Sequence, residues 1–112
     1  MTKWEGGCKN GKAQGKGVLR AYDGARAVQI FFGSLDKGEP RRGVIEDSGN
    51  FVYGEFAEGK PLDSDDPNVM LAAFEEGIAA AKQVSKSFER VGNTRSAEFY
   101  AEKALVLERQ LE

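Results

Sequence analysis

The sequence predicts an α+β fold, an antiparallel β-meander packed on one face by a C-terminal α-helical hairpin. Three observations carry this. Bulky apolar residues stand two positions before glycines at intervals through the first sixty residues, which is a strand period. The composition changes at Pro61-Leu62-Asp63-Ser64-Asp65-Asp66-Pro67, where glycine gives way to alanine. Beyond that point the apolar period lengthens to about 3.6. The division places hairpins in residues 1–62 and helices in residues 63–112, and the two are expected to form one compact unit.

The hairpins come first in the chain. The triplets Trp4-Gly6-Cys8, Phe31-Gly33-Leu35 and Val52-Gly54-Phe56 each put three side-chain positions on one strand face. Glycine inside a strand is an entropic cost, so it marks a close approach, here a slot for an aromatic ring from an adjacent strand. Each triplet is followed by a second glycine, Gly11, Gly38 or Gly59. The polar pairs Lys9-Asn10 and Asp36-Lys37 just before the first two predict tight hairpins. Gly6 and Gly33 are 27 residues apart, and Gly33 and Gly54 are 21 apart, so the repeat is irregular. In the second copy G-E-P-R-R-G-V-I is one residue shorter than G-K-A-Q-G-K-G-V-L, with Arg42 near where Gly15 would fall, and an altered turn is expected there.

The stretch from Trp4 through Gly6, Gly11, Gly15 and Gly17 to Asp23-Gly24 resembles a MORN repeat, a short β-hairpin unit with a Tyr-x-Gly-x-Trp-like start and a G-x-x-x-G-x-G middle. The copies beginning at Phe31 and Val52 match it in part, and the three together cover about half of the chain. The resemblance implies an elongated, twisted sheet used for protein contacts and, in some members, contact with acidic phospholipid. It implies no chemistry.

At 112 residues the chain is long enough for one core. Hydrophobic residues make up 40% and charged residues 30%, the balance of a folded domain rather than a disordered tail. No apolar stretch reaches the roughly 18 to 20 residues of a membrane span, and no leader pattern precedes Trp4. A cytoplasmic location is expected if the chain is complete, an exported one if a leader has been removed. The lone Cys8 reads as a small buried hydrophobe. Residues 1–60 hold ten Lys/Arg against eight Asp/Glu, and residues 61–112 six against ten. Neither imbalance is the footprint of a nucleic-acid binder.

The helical half begins at Asp66, a good N-cap, with Pro67 at the first helical position where its missing amide hydrogen costs nothing. A calcium loop starting at Asp63 would need glycine and glutamate where Asn68 and Phe74 stand. Met70, Phe74, Gly77, Ala81, Val84, Phe88 and Val91 form one stripe, widened by Leu71 and Ile78. Gly92-Asn93 stops this helix, and Asn93 or Thr94 caps the next. There Ala97, Tyr100, Ala101, Ala104, Leu105 and Leu111 form the facing stripe. From Ala81 to Leu107 the segment resembles a single tetratricopeptide repeat, through Ala81, Val84, Phe88, Gly92, Ala97, Ala104, Leu105 and Leu107. That implies helix-turn-helix geometry only, since such arrays need about three repeats to bury a continuous core.

The later strands are apolar on both faces, so one face needs a cover, and the helical hairpin is its candidate. Phe99 and Val106 lie opposite the second helix's stripe and are expected to be buried on the sheet, the alternative being a partner surface. Lys9, Lys12, Lys16, Lys37, Arg41 and Arg42 make a basic patch if the hairpin turns cluster, with Arg41 and Arg42 the candidate partner contacts.

With no histidine, the commonest general base and transition-metal ligand are absent. Gly11 to Gly17 lacks the G-K-[ST] ending of a phosphate loop. The sequence therefore predicts a non-catalytic protein-interaction or scaffold module without cofactor or nucleic acid. Its partner is a protein, a second copy of the chain included. Peripheral binding to acidic phospholipid through the basic edge is the alternative, and an enzyme of unknown class the remaining one.

Overall fold

The computed structural model describes residues 1–112. Six strands, β1 (Thr2–Lys9), β2 (Lys12–Asp23), β3 (Arg26–Asp36), β4 (Glu39–Asp47), β5 (Asn50–Ala57) and β6 (Lys60–Pro61), form one antiparallel meander in chain order. Two helices follow, α1 (Pro67–Arg90) and α2 (Thr94–Arg109). Four of the turns are two-residue loops with both central residues at positive φ, namely Asn10-Gly11, Lys37-Gly38, Ser48-Gly49 and Glu58-Gly59. This type I′ geometry matches the twist of the flanking strands, and glycine at its second position adopts it without strain. At Asp23-Gly24-Ala25-Arg26 only Gly24 has positive φ, the pattern of a type II′ turn.

The turn of the middle copy is unaltered, contrary to expectation, since Lys37-Gly38 has the same φ signs as Asn10-Gly11. The missing residue is taken from a bulge. Between the pairs Gly6↔Gly17 and Cys8↔Ala13, β2 carries Gln14, Gly15 and Lys16 opposite Gly7 alone. Between Gly33↔Gly43 and Leu35↔Pro40, β4 carries only Arg41 and Arg42 opposite Ser34. Gly15, at φ 84°, is the residue that the larger bulge requires in a left-handed conformation.

The register aligns whole rows across five strands. One row is Gly6–Gly17–Gly33–Gly43–Gly54. Beside it on the same face runs Trp4–Leu19–Phe31–Ile45–Val52. The intervening row, Glu5–Val18–Phe32–Val44–Tyr53, points to the other face, where the helices lie.

The helices form as the sequence predicts. The Asp66 side chain accepts a hydrogen bond from the Asn68 amide at 2.9 Å with Pro67 next to it. Gly92 breaks the helix at φ 78°, and Asn93 rather than Thr94 caps α2, accepting from the Ser96 amide at 3.2 Å. The main core lies between helices and sheet and joins Val18, Ile30, Phe32 and Val44 to Phe74, Ala81, Val84, Tyr100, Ala104 and Leu107. α1 comes close because Gly77 has no side chain; a Cβ there would stand 3.1 Å from the Phe32 carbonyl and 3.3 Å from Val44 Cγ2. Ser85, buried between the helices, donates to the Ala97 carbonyl at 2.6 Å.

The stripes need correction at several positions, Leu71 among them, which is exposed. Val91 is 76% exposed, because it sits at the C-cap beyond the last turn that overlies the sheet. In α2, Ala101, Leu105 and Leu111 are exposed, and Leu107 takes the buried position. Phe99 is not buried on the sheet either. It is 43% exposed and lies edge-on to Tyr100, since α2 packs on α1 and meets the strands through Tyr100 at Arg20 and Lys103 at Glu46. Val106 is half-buried. Cys8 is exposed, at the turn end of an edge strand that nothing covers.

Replacing Gly33 by alanine would drive a Cβ into the Arg42 carbonyl and to 2.7 Å from Gly43 Cα, both of them backbone. Urea denaturation should show Gly33→Ala less stable by about 2 kcal/mol, the scale of overpacking. Asp66→Ala should cost about 1 kcal/mol, the scale of a lost N-cap, with the same denaturant slope as the parent chain.

Candidate functional site: the open face of the sheet

The face turned away from the helices has no covering layer, and its chemistry follows from the rows. Thr2–Ala21–Gln29–Asp47–Asn50, the Trp4–Val52 row and the glycine row together contain one charged residue, Asp47. Its carboxylate accepts from Gln29 Nε2 at 3.0 Å. By contrast, the rows of the helical face carry Lys3, Arg20, Glu46, Lys16, Arg42 and Glu55.

Aromatic rings lie flat against the glycines. A Cβ on Gly6 or on Gly17 would fall inside contact distance of the Trp4 indole. One on Gly33 would stand 2.8 Å from Phe31 Cζ, and one on Gly43 3.0 Å from Phe31 Cε1. Each ring therefore covers the glycine two residues ahead on its own strand and that glycine's cross-strand partner. For Gly6 and Gly33 the ring comes from the same strand and not, as the sequence suggested, from an adjacent one; for Gly17 and Gly43 it does come from the adjacent strand. At Trp4 the placement is pinned, because the indole Nε1 donates to the Gly7 carbonyl at 2.8 Å. Phe31 meets Phe56 edge to face at 5.6 Å, and with Leu35 they form a second apolar cluster, with Trp4, Leu19 and Ile45 packed around it. Phe31, Leu35 and Phe56 are buried; Trp4, Leu19 and Ile45 are half-buried; Val52 is 41% exposed. The result is a smooth, uncharged apolar band five strands wide.

The sequence-selected residues separate into classes. Trp4, Gly6, Gly17, Phe31, Gly33 and Phe56 converge on this face, Gly54 joins their row by register but a Cβ there would stand 3.8 Å from Val69 of α1, and Gly11, Gly24, Gly38 and Gly59 serve turns and Gly15 a bulge. The sequence pattern does not single out Gly43, Leu19 and Ile45. Gly43 stands five residues after Gly38, whereas Gly17 stands six after Gly11, and that offset hid it.

The basic residues meet only in part. Lys9, Lys12 and Lys37 surround a depression of about 310 Å³ between two turns. Those turns are tied together, with the Lys37 amide donating to Gln14 Oε1 at 3.0 Å and Gln14 Nε2 donating to Asp36 Oδ1 at 2.9 Å. Lys16 instead faces α1 and pairs with Glu76 at 3.7 Å, and Arg41 pairs with Asp36 at 3.5 Å. Arg42 is exposed beside Ser34 and Glu55. No group of three or more His, Cys, Asp or Glu is placed to hold a metal ion. Neither helix is long and apolar enough to cross a membrane.

A polar cluster underlies the helical face. Arg20 lies over the Tyr22 ring at 5.6 Å and the Tyr100 ring at 5.9 Å and pairs with Glu5 at 3.2 Å. Tyr100 Oη and Arg20 Nε are both buried without a hydrogen-bond partner. Burial pushes the Tyr100 phenol up to about 12, against the opposing field of the Arg20 guanidinium. A second link to the sheet is Lys103, whose ammonium donates to both Glu46 carboxylate oxygens at 2.8 Å.

The raised Tyr100 value fixes the sign of a pH effect. The unfolded chain loses the phenolic proton near pH 10 and the folded chain near pH 12. The contribution to stability is thus whole below pH 10 and is lost as pH rises toward 12. Thermal melts across this range should show a steeper alkaline decline for the parent chain than for Tyr100→Phe. At neutral pH that variant should match or exceed the parent, because an orphan buried hydroxyl is removed without loss of a bond.

In comparisons with protein-family models, with curated proteins and with solved structures, the chain has no match.

Proposed function

We propose that this chain is a non-catalytic protein-interaction module, a MORN-like hairpin ribbon braced by a tetratricopeptide-like helical hairpin. The observation that carries the proposal is the open face, where the rows leave a single charge and an apolar band that no element of the chain covers. Uncovered apolar surface rimmed by polar groups is the usual mark of a contact site. The glycine-backed rings make the band flat and stiff, so a partner meets a preformed surface and little order is lost on binding. The partner is a protein, and a second copy of the chain is one such partner, since β1 presents an unpaired edge of eight residues. The C-terminal hairpin stiffens the sheet from behind, and Arg41, Arg42, Phe99 and Val106 lie outside the contact face.

A second reading, binding to acidic phospholipid, draws support from the convergence of Lys9, Lys12 and Lys37. It relies on three cations, each worth about 1 kcal/mol near an anionic surface. Co-sedimentation with vesicles with and without anionic lipid tests it; binding that ignores lipid charge removes it.

The interaction reading is tested with Val52→Lys, which places a charge in the band at a residue already 41% exposed. The parent chain should retain specific proteins from native extract, and Val52→Lys should retain at least roughly tenfold less with an unchanged melting temperature. Trp4, the only tryptophan, should change its emission when a captured partner is added. Capture untouched by the variant, or turnover of a small molecule by the parent chain, would overturn the reading.

A further inference from the structure

The sheet ends abruptly at β6. That strand has two residues, pairing Lys60 with Ala57 and Pro61 with Phe56, and the last link is the Leu62 amide donating to the Glu55 carbonyl at 2.8 Å. Past this bond the chain leaves β5 for α1. The Glu55 carbonyl thus points away from β4, and the antiparallel alternation turns the backbone groups of Tyr53 and Phe51 the same way. No backbone bond reaches either of them from the linker. An open stretch of strand edge is left along β5, at the margin of the sheet opposite β1.

Alongside that edge runs a cleft of about 560 Å³, a volume in the range of binding clefts. Tyr53, Leu62, Val69 and Met70 give it apolar walls. Leu62 is 51% and Tyr53 41% exposed. Asp63, Asp65 and Asp66 stand on its rim, and none of the three is within ion-pair distance of a cation. Asp66 has a structural duty as the α1 cap. Asp63 and Asp65 have none.

We infer that this cleft receives an extended segment of a partner protein, alternating apolar with Lys or Arg residues, which adds to β5 as the strand that β6 leaves unfinished. Strand addition supplies main-chain hydrogen bonds to Tyr53 and Phe51, and alternate side chains supply selectivity. Apolar side chains fill the walls between Tyr53 and Met70, and the basic ones answer the rim carboxylates. The complementarity of charge decides the class of occupant, since an acidic segment would meet three unpaired carboxylates and be repelled. Val52 borders both this cleft and the open face, and the two readings are told apart by Asp63 and Asp65, which line the cleft and take no part in the open face.

The test uses the full chain and a synthetic peptide alternating Lys and Val, with two controls. One control has Glu in place of Lys, and the other is N-methylated on alternate residues so that it cannot complete a strand ladder. Amide NMR titration should show saturable shifts at Phe51, Tyr53 and Glu55 with the Lys peptide alone. Affinity should fall at least roughly tenfold on N-methylation and roughly fivefold in the double variant Asp63→Asn, Asp65→Asn, with further weakening in added salt. Asp66 is left in place to keep the helix cap. The inference is overturned by absent saturation, by shifts confined to the open face, or by indifference to N-methylation. It is overturned equally if the Phe51 and Tyr53 amides of the free protein become protected as its concentration rises, because the occupant is then a second copy.

Discussion

A row of five glycines facing one another across five strands is the constraint on which the rest of this structure depends. Without Cβ atoms along that line, Trp4 and Phe31 fold down onto the backbone, each over a cross-strand glycine pair. Burial of large rings is among the stronger contributions available to a small domain. Here it is obtained without a second layer on that side. The register follows from it, because a slip by one residue would put side chains under the rings and turn Phe31 to the wrong face. Every other residue of β3 is then committed to the helices, which is how Ile30 and Phe32 come to lie under α1 and α2.

The close packing on the opposite side obeys the same logic. Gly77 lets α1 settle onto β3 and β4 at the point where Phe32 and Val44 meet the helix. The second helix is held less directly. It packs on α1 through Ala97, Ala104 and the Ser85 hydrogen bond, and is tied to the strands by Lys103 on Glu46 and by the stack of Phe88, Tyr100 and Arg20. The unpaired hydroxyl of Tyr100 and the Nε of Arg20 are the weak point of that stack, since buried polar atoms without partners oppose folding.

Much of the fold was legible because its determinants are local. The Asn10-Gly11 and Lys37-Gly38 turns, the Asp66-Pro67 helix start and the Gly92-Asn93 break each rest on a few adjacent residues whose backbone preferences leave little choice. The two-faced apolar pattern of β3 called for a cover over one face, which the helices supply, while on the other face the rings lie against the backbone. What stayed hidden depends on register between strands. Gly43 joins the row only because the β3–β4 bulge is one residue smaller than that of the first hairpin. In α2 the alternatives Leu105 and Leu107 are both apolar, and the angle at which α2 meets α1 chooses between them. Phe99 and Cys8 failed expectation for one reason, the absence of any element over the surface on which each lies. The open face as a site was half legible: its aromatic and glycine positions could be named, but not their assembly into an uncharged band.

The unbroken strand order has a consequence for how the chain reaches this state. Each strand pairs with its immediate predecessor, so the sheet closes through a succession of two-residue loops and no long segment must be threaded back. Loop-closure entropy is therefore spread over small steps, a topology associated with rapid assembly. The helices fasten onto a ribbon that zips from turn to turn, and a hairpin gained or lost at either margin would leave the remaining pairings undisturbed.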